Sequence, residues 1–179
     1  MNLANRLTVI RILLVPIFMV FLLTRIPGGR FWATVVFIIA AITDGLDGYI
    51  ARSRQQITKL GRLIDPLADK LLISAALVSL VELSLVPAWV AVLIISREFA
   101  VTGLRTIAAS EGVLIGASAL GRAKTVGQVV AIILLLVQEL PWPFLPLLAK
   151  VGLGVAVVLT IVSGADYFAK SLRVFGLYK

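Results

Sequence analysis

Four aspartates are the residues of this chain whose types and spacing most invite chemistry. Asp44 and Asp47 stand in TDGLDGYIAR (43–52), and Asp65 and Asp69 stand in GRLIDPLADK (61–70). Residues three or four apart share one face of a helix, so each pair presents two carboxylates side by side. An antiparallel hairpin of the two segments brings all four together. Four anions in a low-dielectric setting repel one another, and some of their pKa values rise. A divalent cation removes the conflict, and hard oxygen ligands select Mg²⁺, Mn²⁺ or Ca²⁺ over zinc. Four carboxylates suffice for two such ions, and two-metal sites commonly clamp phosphoryl displacements. The plainer alternative is that the aspartates pair with Arg52, Arg62 and Lys70 or sit in interfacial water. Ionisable groups within a membrane protein's spans are functional by default, which favours the metal. Gly45, Gly48 and Gly61 leave the surface beside the acids bare, open to a neighbouring helix or a ligand. Pro66 either starts the second of these helices, with Asp65 as its cap, or bends it.

The elements that must position these acids follow from composition. Of 179 residues, 60% are hydrophobic, and the mean hydropathy is +1.08. That is far more apolar than a soluble domain. Apolar windows of about 20 residues, enough to cross a bilayer, recur along the chain. They are continuous, unlike the alternating segments of a membrane β-barrel. The expectation is an all-α integral membrane protein, one transmembrane domain over residues 1–179. We place six spans at roughly 7–24, 31–50, 64–85, 87–108, 121–140 and 144–165. The first run is long for a cleavable signal and lacks a small-residue cleavage site, so it reads as a retained span. RIPGGR (25–30), ELSLVPAW (82–89) and QELPWPFLP (138–146) carry the Pro and Gly that end helices. ARSRQQITKLGR (51–62) and the stretch around TIAASEGVLIGASALGR (106–122) make the two longer, more polar connections.

Charge sets the orientation. With six spans, all Lys and Arg residues but Arg25, Arg30 and Lys150 fall on the side of the termini. The positive-inside rule then puts both termini in the cytoplasm of a cell-membrane protein. The acids divide the same way, with only Glu82 and Glu139 opposed. The net charge of +8 reads as basic loops facing anionic lipid, with no nucleic acid as partner. The chain has no cysteine and no histidine. Disulfides, thiolate zinc sites, cysteine nucleophiles and imidazole chemistry are thereby excluded.

The pattern Asp44-x2-Asp47-Gly48-x2-Ala51-Arg52-x8-Gly61-x3-Asp65-x3-Asp69 resembles the full signature of the CDP-alcohol phosphatidyltransferases. The resemblance implies a six-transmembrane-helix bundle of that type, a homodimer, with a cavity facing the cytoplasm. It implies that Asp44, Asp47, Asp65 and Asp69 hold two divalent cations, Mg²⁺ or Mn²⁺. It implies that Gly48, Ala51, Arg52 and Gly61 line the cytidine-nucleotide site, and that Asp69 is the base that deprotonates the acceptor alcohol. NRLTVIRILLVPIF (5–18), SREFAVTGLR (96–105), GRAKT (121–125) and SGADYF (163–168) are similar to the bacterial phosphatidylglycerophosphate synthases of that family. The implied reaction takes CDP-diacylglycerol and sn-glycerol 3-phosphate to phosphatidylglycerol phosphate and CMP at the membrane lipid surface.

A glycerol 3-phosphate dianion needs cations, and arginine's fork suits phosphate. Arg105, Arg122 and Lys124 are the expected phosphate cradle. Arg97, deeper in its span, needs a partner such as Glu98 or the aspartates. Asn5, Thr8 and Arg11 recur every three residues and line the same cavity or mark a helix start. Rival readings are a divalent-cation transporter, a different acceptor (inositol phosphate, serine or phosphatidylglycerol) and a non-catalytic scaffold. A transporter more often carries its acids at the membrane midplane on broken helices.

Overall fold

Each apolar run becomes a helix, the form that satisfies its backbone N–H and C=O groups within one segment. The protein is described from a computed structural model. It covers the backbone of residues 3–24, 26–54, 59–111, 116 and 118–174, and the side chains of residues 8–24, 26–43, 68, 70–111, 116 and 118–171. Six helices and no strand occur among the described residues. They are α1 (Leu3–Leu23), α2 (Gly29–Arg54), α3 (Lys59–Glu82), α4 (Ala88–Ser110), α5 (Ala119–Val137) and α6 (Leu145–Val174). α5 and α6 are each long and apolar enough to cross a membrane. α1 and α2 contribute the shorter apolar stretches Thr8–Leu23 and Gly29–Thr43. α3 begins at Lys59 and continues through Pro66, so Asp65 lies inside the helix and does not cap it.

The closest helix pairs are neighbours in sequence, α1 with α2 and α5 with α6. The first pair is drawn together by its turn. Gly28 takes a positive φ of 70°, which glycine adopts without cost. At Gly29 a Cβ would fall 2.4 Å from the Phe21 carbonyl oxygen, so only glycine fits there. Small residues do the same for the last pair, where a Cβ on Gly127 would touch Leu159 and Gly152 lies against Leu134 and Ala131. α3 ends in a reverse turn in which Leu85 N–H donates to Leu80 O (2.9 Å) and Ser84 N–H to Val81 O (2.9 Å). Ser84 sits there in the left-handed region at φ 57°, a place more often held by glycine.

α1 also packs on α3, α2 on α5, and α4 on α6. α2 and α3 approach one another only over a short stretch, because α1 lies against both. The core threads all six helices. Phe18 and Phe37 meet with ring centroids 5.7 Å apart, and Leu77, Leu80, Ile94, Ile132, Leu136 and Ala149 are buried around them. The exterior is just as apolar. Leu13, Val20, Val92, Val126, Val155 and Val158 are among many large aliphatic side chains left exposed. So continuous an apolar surface suits lipid and not water. At one end of the bundle an ion pair joins Arg30 at the start of α2 to Glu139 after α5. Exposed Trp32 and Trp142 flank it in sequence, the amphipathic rings favoured at a membrane interface.

Candidate active site

The four aspartates occupy the end of the bundle opposite that pair in sequence order. Asp44 and Asp47 lie in the later part of α2, and Asp65 and Asp69 in the early part of α3. Backbone helicity at all four preserves the spacings that put each pair on one face. Their side chains, and those of Asn5, Gly48, Ala51, Arg52 and Gly61, lie outside the described residues. The donor set fits a hard divalent cation, being four carboxylates in a chain with no histidine or cysteine.

Around this end the described residues supply a polar lining that an apolar bundle does not need for packing. Thr8 and Arg11 on α1 are each 1% exposed, and both are engaged in interactions. Thr8 and Arg11 therefore face the interior and not lipid. A fully buried arginine is costly in a membrane unless partnered, so its place in α1 points to a polar interior here. Lys70, next to Asp69, is likewise engaged. It also lines an apolar groove of about 280 Å³ between α1, α3 and α4, with Ile12, Ala68, Leu71, Ser74, Ile95 and Phe99.

A second cluster spans α4, α5 and α6. Lys124 on α5 is 3% exposed and forms an ion pair with Glu98 on α4 through Glu98 Oε1. The same oxygen lies 3.4 Å from Arg97 Nη1. Arg97 Nη2 donates to Ser163 Oγ on α6 (2.9 Å), and the guanidinium stands 5.5 Å from the centroid of the Tyr167 ring, within cation–π range. Arg97 can lie against α6 because Gly164 has no side chain, for a Cβ there would come 3.3 Å from Arg97 Cγ. The Tyr167 hydroxyl accepts from Ser118 N–H (2.9 Å) and reaches Gly116 O (3.4 Å). Ser118 in turn caps α5, its hydroxyl accepting from Gly121 N–H (3.0 Å). Tyr167 thus ties α6 to the start of the helix that carries Lys124. Deeper in the same seam, buried Gln128 donates to Thr160 Oγ1 (3.1 Å).

Of the expected phosphate cradle, only Lys124 enters this cluster. Arg105 and Arg122 are exposed, and among the described residues neither side chain makes a hydrogen bond or ion pair. Arg97 has Glu98 as its carboxylate partner, one of the two kinds foreseen. α3, which carries the second acid pair, packs on α4 and touches α5. α3 and the helices of the cationic cluster therefore adjoin. Sequence reasoning assigned no role to Ser163, Tyr167, Gln128 or Thr160. Their only signal was a short polar motif, SGADYF, and single polar residues inside apolar runs.

The arrangement combines four carboxylates of a type suited to a divalent cation, buried cations suited to a phosphate, and an apolar groove that Lys70 helps to line. The family model for CDP-alcohol phosphatidyltransferase matches residues 1–162. A protein of Bacillus subtilis (strain 168) named CDP-diacylglycerol–glycerol-3-phosphate 3-phosphatidyltransferase is 45% identical, the match covering 95% of each chain. A probable phosphatidylglycerophosphate synthase of Mycobacterium tuberculosis (strain H37Rv, ATCC 25618) is 44% identical over 98% of this chain and 84% of its own. A Rickettsia bellii (strain RML369-C) protein with the same name as the Bacillus one is 35% identical over 97% of each. Signature and full-length similarity agree, and the chain belongs to the CDP-alcohol phosphatidyltransferase family.

Proposed function

We propose that the protein transfers the phosphatidyl group of CDP-diacylglycerol to sn-glycerol 3-phosphate, giving phosphatidylglycerol phosphate and CMP. The relatives at 35–45% identity carry that activity in their names. The observation that carries the reading to this chain's own residues is the adjacency of two charged groups. The helix bearing Asp65 and Asp69 packs on α4 and touches α5, the two helices whose Glu98, Arg97 and buried Lys124 form the ion cluster. A dianionic acceptor and a metal-held nucleotide donor need just such neighbours.

In this reading Asp44, Asp47, Asp65 and Asp69 hold two Mg²⁺ or Mn²⁺ ions, and Gly48, Ala51, Arg52 and Gly61 line the cytidine site. When bound, the cations neutralise the donor pyrophosphate and the charge on departing CMP. Lys124, with Arg97 beside it, receives the acceptor's phosphate and sets its free hydroxyl toward Asp69. Arg105 and Arg122, exposed near the same end, draw the dianion in. Asp69 takes the hydroxyl proton as the alcohol oxygen bonds to the phosphorus that carries diacylglycerol. The bond from that phosphorus to the CMP oxygen breaks, and CMP leaves with the electron pair. The residues contribute mostly positioning and fixed charge. The groove between α1, α3 and α4 is apolar enough for an acyl chain, which keeps the donor's tail in lipid while its head group reaches the acids. The bundle crosses the membrane six times with both termini cytoplasmic, and two copies pair as a homodimer.

Purified protein given CDP-diacylglycerol and a panel of acceptors should release CMP with glycerol 3-phosphate. It should do so weakly or not at all with inositol phosphate, serine or phosphatidylglycerol. Turnover with inositol phosphate and none with glycerol 3-phosphate would end this reading. Divalent-cation flux into proteoliposomes without CMP release would favour the transporter instead. Lys124→Ala tests the acceptor site directly. A hydrogen bond to a charged group contributes about 1.5–3 kcal/mol, so KM for glycerol 3-phosphate should rise about tenfold or more. KM for the lipid donor should change far less, and equal effects on both would remove Lys124 from the acceptor site.

A further inference from the structure

The cationic cluster is unbalanced. One carboxylate, Glu98, serves two buried or half-buried cations, Lys124 and Arg97. Lysine offers three N–H donors and arginine five, yet only three hydrogen bonds from these side chains are made among the described residues. Arg97 Nε is buried with no hydrogen-bond partner there. The contact from Arg97 Nη1 to Glu98 is long at 3.4 Å, whereas its bond to Ser163 is short at 2.9 Å. Arg97 is therefore held more closely by α6, through Ser163 and the Tyr167 ring, than by Glu98. A structural ion pair has no need of a surplus of buried donors, and leaving them unmet is costly. A surplus of this kind fits a site that receives a second anion.

The backbone layout agrees. α4 and α5 both pack on α6 but do not approach each other closely. The Glu98–Lys124 pair is made by two long side chains reaching across the space between their helices. Their exposure is unequal: the Lys124 side chain is 4% exposed and that of Glu98 16%. Lys124 is the more deeply buried of the two, and Glu98 the partner nearer the surface.

Resting on the acceptor site proposed above, we propose that Glu98 is a resident counter-ion. Its carboxylate neutralises Lys124 while the site is empty and yields Lys124 to the acceptor's phosphate when the acceptor binds. The exchange makes Glu98 a specificity-determining residue. A neutral alcohol cannot replace a carboxylate on two cations, because the cations would be left buried and uncompensated. A phosphate dianion replaces it and brings more charge and more acceptor oxygens. Glu98 therefore acts against acceptors without a phosphate and sets the affinity for those that have one.

The test compares full-length wild type, Glu98→Gln and Lys124→Ala in detergent, with inorganic phosphate and glycerol 3-phosphate as probes. Without anion, Glu98→Gln should melt below wild type, because its cations have lost their neutralising partner. Either probe should then raise its melting midpoint more than it raises that of wild type. KM for glycerol 3-phosphate should fall roughly three- to tenfold, with KM for CDP-diacylglycerol unchanged. A merely structural Glu98 predicts the lower midpoint alone. A midpoint shift no larger than wild type's, with KM for glycerol 3-phosphate unchanged or raised, overturns the counter-ion role. Should Glu98→Gln not fold, Glu98→Asp keeps the charge on a shorter arm and should shift both readouts the same way, by less. Lys124→Ala separates this inference from its premise. If it keeps the wild-type midpoint shift and KM, the phosphate does not sit at Lys124 and both readings fall. If it loses them while Glu98→Gln gains nothing, only the counter-ion role falls.

Discussion

Asp69→Asn should reduce CMP release by at least about 10²-fold, the lower range for losing a positioned general base. Asparagine keeps the volume of aspartate but accepts no proton at neutral pH and carries no charge. The fold should survive, because α3 is held elsewhere. Leu72, Ala76, Leu77 and Leu80 are all buried on the apolar part of that helix, well past the acids. A circular-dichroism spectrum and melting midpoint close to wild type would establish this. Asp69 is also proposed as a metal ligand, and the two roles separate on titration with Mn²⁺. Turnover that recovers at high metal assigns the loss to ligation, whereas turnover that stays low assigns it to the base. Near-normal turnover at ordinary metal concentration removes Asp69 from both roles.

Chelation is the second large effect. Treatment with EDTA should bring turnover to background, and added Mg²⁺ or Mn²⁺ should restore it. The physical reason is the crowding of like charge. Four carboxylates at these spacings have no histidine or cysteine to share the load, so their mutual repulsion favours a bound cation. Binding to the folded state alone also stabilises it. The chelated protein should therefore melt lower than the metal-loaded one, a readout independent of activity. Full turnover after thorough removal of divalent ions would sink the metal reading, and with it the role given to the four aspartates.

The helices were largely legible because lipid and backbone chemistry leave few choices. Each long apolar run became a helix, and the turns fell at RIPGGR, ELSLVPAW and QELPWPFLP as their Pro and Gly residues indicated. Where local signals competed, sequence reasoning left the matter open. Pro66 reads equally as a first-turn residue or an interior one, and the helix begins at Lys59, seven residues before it. The acid pairs were legible because their spacing is local. The cationic cluster was less so, because its contacts join residues far apart in sequence. Lys124 looks like a membrane-flanking lysine in GRAKT, and its burial depends on α6 lying beside both α4 and α5. Arg105 and Arg122 have the same residue chemistry but point outward, a difference carried by helix rotation and not by residue type. Tyr167 illustrates the limit best, since its partners Ser118, Gly116 and Arg97 all come from other elements.

The close fit of α1 to α2 at Gly29, and of α5 to α6 at Gly127 and Gly152, also bears on how the molecule is made. Partners adjacent in sequence meet with little loop-closure entropy. Each of these two hairpins can therefore pair as soon as its second helix leaves the ribosome and enters the bilayer. Lys124 and Ser163 come from the later hairpin, and Arg97 and Glu98 from a helix synthesised between the two. The cluster of Arg97, Glu98, Lys124 and Ser163 is thus finished only when the C-terminal hairpin docks, so on the proposed acceptor site a chain stalled before α6 should show no turnover.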